Sequence, residues 1–171
     1  MRSIGIVGWS GSGKTTLITA LLPILRARDL SVSTIKHVHS GFDMDRSGKD
    51  SFRHREAGAH EVMVVAANRW ALLHEVAGPE PSLNDLLLRL TEVDLVLVEG
   101  FKSYPFSKIE VHRPSFGKPP IWPDEKDILA VATDEALSDC DRVVLPLNRP
   151  DRIANWVLRL ISWQRGRLAR P

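Results

Sequence analysis

The sequence feature that most constrains this chain is the glycine-rich segment GWSGSGKT at residues 8–15. It has the spacing of a phosphate-binding loop, in which a glycine and four free positions precede Gly-Lys-Ser/Thr. The apolar run at residues 3–7 is typical of a short buried strand, and residues 16–22 have helical spacing. Strand, loop and helix in this order predict a nucleoside triphosphate site; the competing interpretation is a glycine-rich surface turn before a helix.

Each residue type in the loop suits a phosphate ligand. Small residues let backbone N–H groups curl around phosphate oxygens, and the start of the following helix adds partial positive charge. Lys14 can reach the β- and γ-phosphates, and the Thr15 hydroxyl can bind Mg²⁺. The predicted nucleotide contacts of the loop come from Gly8, Ser10, Gly11, Ser12, Gly13, Lys14, Thr15 and Thr16.

Length and composition indicate one ordinary domain. The chain has 171 residues, enough for a sizeable core, and we expect a single nucleotide-binding domain over residues 1–171. No apolar run is long enough to span a membrane, and the chain begins directly with a strand rather than a signal peptide, so we expect a cytoplasmic protein. Cys140 is the single cysteine, which excludes an intrachain disulfide. The net charge of +2 is too small to indicate a nucleic-acid partner.

Strand and helix patterns alternate along the chain. This order predicts an α/β, three-layer P-loop NTPase fold with a mainly parallel sheet flanked by helices, plus a β-hairpin extension turning at Asn68. Helices are predicted over residues 14–28, 50–57, 82–90 and 151–163, with Pro23 kinking or ending the first. Strands are predicted at residues 3–7, 31–36, 61–66, 69–74, 94–98, 108–113, 128–132 and 142–145. The alternation in residues 108–113 suits a more exposed strand.

A second element of the site follows the aliphatic strand at residues 94–98, which is typical of a strand buried on both faces. The strand ends in Glu99, where a carboxylate would emerge beside the nucleotide's Mg²⁺. A solvated loop acid is the other interpretation of Glu99. Asp94, at the opposite end of the strand, is too far away to contribute.

The segment at residues 35–59 is unusually rich in His, Asp, Lys and Arg, and it follows a strand end beside the loop. Asp43 and Asp45 are candidate ligands of Mg²⁺ or of its waters. Candidate phosphate contacts are Lys36, Lys49, Arg53 and Arg55, although a solvated helix face also explains the last two. His37 and His39 have the spacing of two zinc ligands, but no third ligand is evident.

The base is not fixed by the residues. The chain has no Asn-Lys-x-Asp motif, which many GTPases use to read guanine. Asp134 follows a late strand where a base-reading loop would lie, so it is the candidate for guanine recognition; the alternative is a helix cap before residues 135–137. GTP and ATP therefore both remain open at this point.

Four runs together resemble one known family, the MobB family, molybdopterin-guanine dinucleotide biosynthesis protein B. They are GWSGSGKTTL, IKHVHSGFDMDRSGKDSFRHREAGA, LVLVEGFK and KIEVHR, of which the second is far more specific than the phosphate loop. The resemblance implies a homodimeric GTP-binding protein with weak, Mg²⁺-dependent GTPase activity. Such a protein is an accessory factor to the guanylyltransferase that joins GMP to molybdopterin, and molybdopterin itself is a further candidate ligand.

Carried onto this chain, the resemblance implies that Lys14, Glu99 and Asp45 take part in hydrolysis, with Asp43 and Asp45 in a switch-like loop. The sequence has no clear water-positioning glutamine or arginine finger, which fits slow turnover. Two alternatives remain. One is an ATP-dependent small-molecule kinase whose acceptor binds the segment at residues 37–55, and the other is a non-catalytic, nucleotide-gated adapter.

Overall fold

The computed structural model describes residues 1–38 and 41–168. The chain divides into two compact units, one made of Met1–His37 with the chain from Leu86 onward, and one made of Val38–Asp85. The single domain over residues 1–171 stays a prediction.

The described residues contain four α-helices and eight strands. The helices are α1 (Lys14–Arg26), α2 (Asp50–Glu56), α3 (Leu83–Arg89) and α4 (Pro150–Leu168). The strands are β1 (Arg2–Val7), β2 (Val32–Lys36), β3 (Glu61–Ala66), β4 (Arg69–His74), β5 (Leu95–Glu99), β6 (Lys108–Val111), β7 (Ile128–Thr133) and β8 (Val143–Pro146). Among these helices, none is long and apolar enough to cross a bilayer.

The first unit is built on a six-stranded sheet in the order β2-β5-β1-β6-β7-β8, and every pairing in it is parallel. The chain leaves β1 toward β2 on one side, and it later crosses from β5 to β6 on the other side of β1. In sheets of this type, ligands bind at the carboxyl ends of the strands where the direction reverses. The sheet and the separate β3–β4 hairpin confirm the predicted α/β fold class.

Apolar side chains cover both faces of this sheet, as its all-parallel pairing requires. On one face α1 and α4 pack together, and the buried core there includes Leu21 and Leu25 of α1 and Val157 of α4. On the other face Ile121 and Trp122 pack against residues of β1 and β7. The phosphate loop is therefore held between a buried strand and a buried helix.

Pro23 lies inside α1 and does not end it. A proline at this position lacks the N–H that an interior helical residue donates, yet the helix continues to Arg26, two residues short of the predicted end. The burial of Leu21 and Leu25 on either side of Pro23 explains why the helix persists, since packing stabilises it more than propensity does.

The expectation of a more exposed strand at residues 108–113 is wrong. All four residues of β6 are buried, including the charged Lys108 and Glu110. The Glu110 carboxylate accepts hydrogen bonds from the backbone N–H groups of Ile121 and Trp122 at 2.9–3.1 Å. Burial raises the pKa of Glu110, and the two N–H groups oppose that rise. These partners let a charged side chain remain in the interior.

The second unit contains α2 and the predicted hairpin. β3 and β4 pair antiparallel from Glu61↔His74 to Ala66↔Arg69, which leaves Asn68 in a two-residue turn as predicted. This sheet has only two strands, and most of its side chains are exposed.

Candidate functional site

The phosphate loop connects the carboxyl end of β1 to the start of α1, and its glycines are required by its backbone. Gly8, Gly11 and Gly13 have φ angles of 143°, 79° and 103°, which other residues rarely adopt. At Gly8 an added Cβ would lie 2.5 Å from the backbone oxygen of Val111. The loop can therefore approach β6 this closely only with glycine at its first position.

The start of α1 presents backbone donors. The first helical hydrogen bond is donated by the N–H of Leu17 to the Gly13 carbonyl at 2.9 Å, so the N–H groups of Lys14, Thr15 and Thr16 have no acceptor within the helix. Donors at a helix N-terminus, together with the helix dipole, favour a phosphate. Ser10 and Gly11 are exposed in the loop, whereas Ser12 is buried.

Lys14 folds back over the loop. Its ammonium group donates to the carbonyl oxygens of Gly8 at 3.0 Å and of Trp9 at 2.9 Å. Burial lowers the pKa of Lys14, while the nearby carboxylate of Glu99 raises it. A phosphate oxygen in the loop would replace these neutral carbonyls as the partner of the charged ammonium.

Thr15 and Glu99 meet at the same edge of the sheet. The Thr15 hydroxyl lies 2.9 Å and 3.0 Å from the two carboxylate oxygens of Glu99, to which it donates. Glu99 is the last residue of β5, and it pairs with Lys36 of β2 on one side and Ile6 of β1 on the other. The Lys36 ammonium lies 3.6 Å from the carboxylate. The structure thus brings together Lys14, Thr15, Lys36 and Glu99, four of the residues predicted for the site.

Arg113 is a residue of this site that the sequence did not reveal. It follows β6, and its Nε donates to the Ser12 carbonyl of the phosphate loop at 3.0 Å. Its Nη2 lies 3.6 Å from the position that a Cβ on Gly13 would occupy. Because C=O and N–H point in opposite directions across a trans peptide, holding the Ser12 carbonyl fixes the direction of the Gly13 N–H. The KIEVHR run contains this arginine, but the sequence alone does not show that it reaches a loop 101 residues earlier.

Asp134 is held by Arg113. The Arg113 guanidinium pairs with Oδ2 of Asp134, at the carboxyl end of β7. No helix begins directly after Asp134, because residues 134–142 form bends and irregular backbone, so the alternative of a helix cap before residues 135–137 is wrong. The carboxylate has one oxygen left for another donor.

Asp43 and Asp45 belong to the second unit, Val38–Asp85. Arg55 donates to Asp43 at 2.9 Å and lowers the pKa of its carboxyl. Asp45 accepts a hydrogen bond from the Ser51 hydroxyl at 2.8 Å, and Arg55 also binds Glu75. The two aspartates are thus joined to α2 within their own unit, and their predicted binding of Mg²⁺ stays a prediction.

The zinc alternative gains no support from the described residues. His37 stacks on Phe101 with ring centroids 4.5 Å apart, while His39 lies outside the described part of the chain. Within that part, no group of three or more His, Cys, Asp or Glu residues has the arrangement of a metal site.

Comparison with known proteins gives one consistent result. A family model described as molybdopterin guanine dinucleotide synthesis protein B matches residues 3–134. The chain is 46% identical over 157 residues to the molybdopterin-guanine dinucleotide biosynthesis adapter protein of Haemophilus influenzae. The aligned residues span 90% of this chain and 86% of that protein. It is 37% identical over 167 residues to the protein of the same name from Escherichia coli, which spans 95% of each chain.

The fold agrees with these relatives. A crystal structure of molybdopterin-guanine biosynthesis protein B superposes with a TM-score of 0.73 at 31% identity, covering 92% of this chain and 99% of that one. The resemblance seen in the four sequence runs is confirmed. Since the family model spans most of the chain and both relatives align over nearly all of it, this chain belongs to the MobB family.

Proposed function

We propose that this protein binds GTP with Mg²⁺, hydrolyses it slowly, and acts as an accessory protein to the guanylyltransferase that attaches GMP to molybdopterin. The nucleotide part of this proposal rests on Lys14, Thr15 and Glu99, which lie close together at the carboxyl edge of the sheet. The loop that contains Lys14 has three glycines with left-handed φ angles. The pathway is supported by the two relatives, which are named molybdopterin-guanine dinucleotide biosynthesis adapter proteins.

The residues present fit a triphosphate with its metal ion. Hydroxyl and carboxylate oxygens are the ligand type that Mg²⁺ prefers, and Thr15 and Glu99 offer one of each within 3.0 Å of each other. Backbone N–H groups at the start of α1 and the Lys14 ammonium would hold the phosphates, and Lys36 adds positive charge beside Glu99. Mg²⁺, when bound, would neutralise charge on the phosphate oxygens.

The proposal of GTP rather than ATP rests on the family. Arg113 binds the Ser12 carbonyl of the loop and also pairs with Asp134, so Asp134 lies near the loop. The second carboxylate oxygen of Asp134 could accept a hydrogen bond from the N1–H or N2–H₂ group of guanine. Calorimetric titration of the protein with GTP and with ATP, each with and without Mg²⁺, tests this directly. We expect Mg²⁺-dependent binding with a clear preference for GTP, whereas a preference for ATP would favour a small-molecule kinase.

Turnover distinguishes an active GTPase from a nucleotide-gated adapter. We expect slow hydrolysis by the protein alone, because Arg113 is already engaged by Ser12 and Asp134, and the sequence has no clear water-positioning glutamine. Measuring hydrolysis and guanine dinucleotide formation with the guanylyltransferase present shows whether hydrolysis matters. Cofactor formation that proceeds equally with a GTP analogue blocked only at the β–γ bond, which can still donate GMP, would favour the adapter.

We predict that Glu99→Gln reduces the gain in GTP affinity that Mg²⁺ provides by about tenfold or more, because a carboxylate is lost from the metal site. GTP affinity without Mg²⁺ should stay equal or rise, since the change removes a negative charge near the phosphates. Titrations of the parent protein and of Glu99→Gln with GTP at fixed ionic strength, with and without Mg²⁺, measure the change in the Mg²⁺ effect. Glu92→Gln, an exposed acid in the same unit, is the matched control. An unchanged Mg²⁺ effect in Glu99→Gln would remove Glu99 from the metal site.

We also propose that the protein is a homodimer that pairs through the β3–β4 hairpin. Five large apolar side chains of this hairpin are at least two-fifths exposed, namely Met63, Val64, Val65, Trp70 and Leu72. A two-stranded sheet is only marginally stable by itself, and its unpaired edges invite another strand. A second copy would offer the same apolar surface and the same edges, as a two-fold interface requires.

We predict that Val65→Lys converts the dimer largely to monomer, because a charged side chain replaces one that is 69% exposed in the single chain. Sedimentation equilibrium of parent and variant measures the mass. Leu88→Lys, at an 84% exposed position on α3, is the control and should stay dimeric. A monomeric parent protein, or a Val65→Lys protein that remains dimeric, would contradict this interface.

A further inference from the structure

Two lysines gather on the tryptophan of the phosphate loop. The Lys102 ammonium lies 4.3 Å from the centroid of the Trp9 ring, and the Lys118 ammonium lies 6.0 Å from it. The indole N–H donates to the Pro119 carbonyl at 2.7 Å, which fixes the ring against the segment that carries Lys118. Attraction between an ammonium and an aromatic face holds both charges at this place.

The backbone that delivers Lys102 is strained. Directly after β5, Gly100 and Phe101 both have left-handed φ angles, 98° and 51°. Glycine is needed at position 100, where a Cβ would lie 2.9 Å from the Cβ of His37. At position 101 the left-handed φ angle raises the conformational energy of a bulky residue such as Phe101. The turn brings the chain back so that Lys102 lies over Trp9. Such strain is found most often where function requires it.

The segment that delivers Lys118 is anchored from the interior. The buried Glu110 carboxylate binds the backbone N–H groups of Ile121 and Trp122, a few residues further along. Lys118 is itself exposed. Its position beside Trp9 therefore comes from a fixed loop.

Positive charge around the phosphate loop exceeds the negative charge. The cations are Lys14, Lys36, Lys102, Arg113 and Lys118. Of the nearby acids, Glu99 pairs with Lys36 and Asp134 pairs with Arg113. Burial raises the pKa of Glu110, and the charge of Lys102 opposes that rise. Within residues 1–38 and 41–168, neither Lys102 nor Lys118 has a carboxylate at ion-pair distance. Bringing like charges together costs free energy that an anionic ligand would recover.

We infer that Trp9, Lys102 and Lys118 form a second anion site beside the phosphate loop, which binds the phosphate group of a second ligand. The two lysines are held on the tryptophan side chain, whereas Lys14 is held on the loop backbone. The terminal phosphate of the nucleotide is the other possible source of the same chemistry. The site rests on the proposed function and deepens it, because it lies beside the proposed nucleotide site and would place a phosphate-bearing substrate there.

The test follows the Trp9 indole N–H resonance by NMR while inorganic phosphate is added at constant ionic strength. The resonance is identified by its absence from Trp9→Phe. One arm uses protein saturated with Mg²⁺ and a non-hydrolysable GTP analogue, so that the phosphate loop is filled. The other uses nucleotide-free Lys14→Ala, which does not depend on GTP binding and so separates this proposal from the proposed function.

We expect a saturable shift in both arms, and we expect Lys102→Ala and Lys118→Ala each to raise the phosphate Kd about tenfold, as loss of a charge-assisted hydrogen bond does. Lys102→Arg should retain binding. Lys126→Ala, which removes an exposed lysine from the same unit, should change nothing. No saturable shift, or a shift that both alanine variants leave intact, would overturn the site. The site would also be overturned if Lys102→Ala and Lys118→Ala weakened binding of the GTP analogue while the parent protein loaded with that analogue bound no phosphate. The two lysines would then bind the nucleotide.

Discussion

Lys14→Ala is expected to weaken Mg²⁺-dependent GTP binding about 100-fold while the fold survives. The Lys14 ammonium donates to two carbonyl oxygens of the phosphate loop, at 3.0 Å from Gly8 and 2.9 Å from Trp9, so its charge lies within the loop. Charge-assisted hydrogen bonds contribute about 1.5–3 kcal/mol each, and about 2.7 kcal/mol corresponds to a 100-fold change in affinity. Calorimetry with GTP measures the change.

The fold is expected to survive because Lys14 lies outside the apolar core, which its neighbours Leu17 and Leu21 enter from the same helix. Circular dichroism and thermal unfolding check this point. Lys126→Ala controls for the loss of one positive charge. Ordinary GTP affinity in folded Lys14→Ala protein would contradict the assignment of the phosphate loop.

Gly8→Ala is expected to abolish detectable GTP binding and to destabilise the protein by about 3 kcal/mol, on the order of the cost of strained backbone plus a steric clash. The added Cβ would lie 2.5 Å from the Val111 oxygen and 2.8 Å from the Ser12 hydroxyl, and φ is 143°. To relieve this clash, either the loop must move away from β6 or the backbone of β6 must shift. For a chain of this size, that cost corresponds to a Tm lowered by about 6–12 °C.

Gly78→Ala is the matched control for this prediction. It is the same chemical change at a glycine where an added Cβ meets no heavy atom of the described structure within 4 Å and φ is not left-handed. GTP affinity and Tm should both be unchanged there. If Gly8→Ala bound GTP as the parent does, the loop would be far more adaptable than its contact with Val111 indicates.

The parts of the site that could be predicted are those with local causes. A strand, a glycine-rich turn and a helix adjoin one another in the sequence, so the phosphate loop could be recognised without the fold. Glu99 could be placed because a strand buried on both faces ends at a defined edge of a parallel sheet. The hairpin could be placed because Asn68 separates two short strands by a two-residue turn.

The parts that could not be predicted depend on distant segments. The alternation of β6 indicated exposure, but Glu110 is buried because the N–H groups of Ile121 and Trp122 satisfy it. Arg113 reaches the Ser12 carbonyl only because the sheet order places β6 beside β1. No local pattern in the sequence records either pairing. Asp134 is similar, since its role as a possible helix cap depended on a helix that does not form after β7.

The contacts of Lys14 also bear on which anions the proposed nucleotide site would select. The Lys14 ammonium donates to two carbonyl oxygens of the loop, so a phosphate that took their place would gain only the difference between those contacts and its own. An orthophosphate ion would gain little over the two carbonyl contacts that it displaces. A polyphosphate chain would instead engage the Lys14 ammonium, the N–H groups at the start of α1 and the Thr15 hydroxyl together. If the proposed nucleotide site is correct, the loop should therefore discriminate by the number of linked phosphates, and orthophosphate should compete poorly with GTP for it.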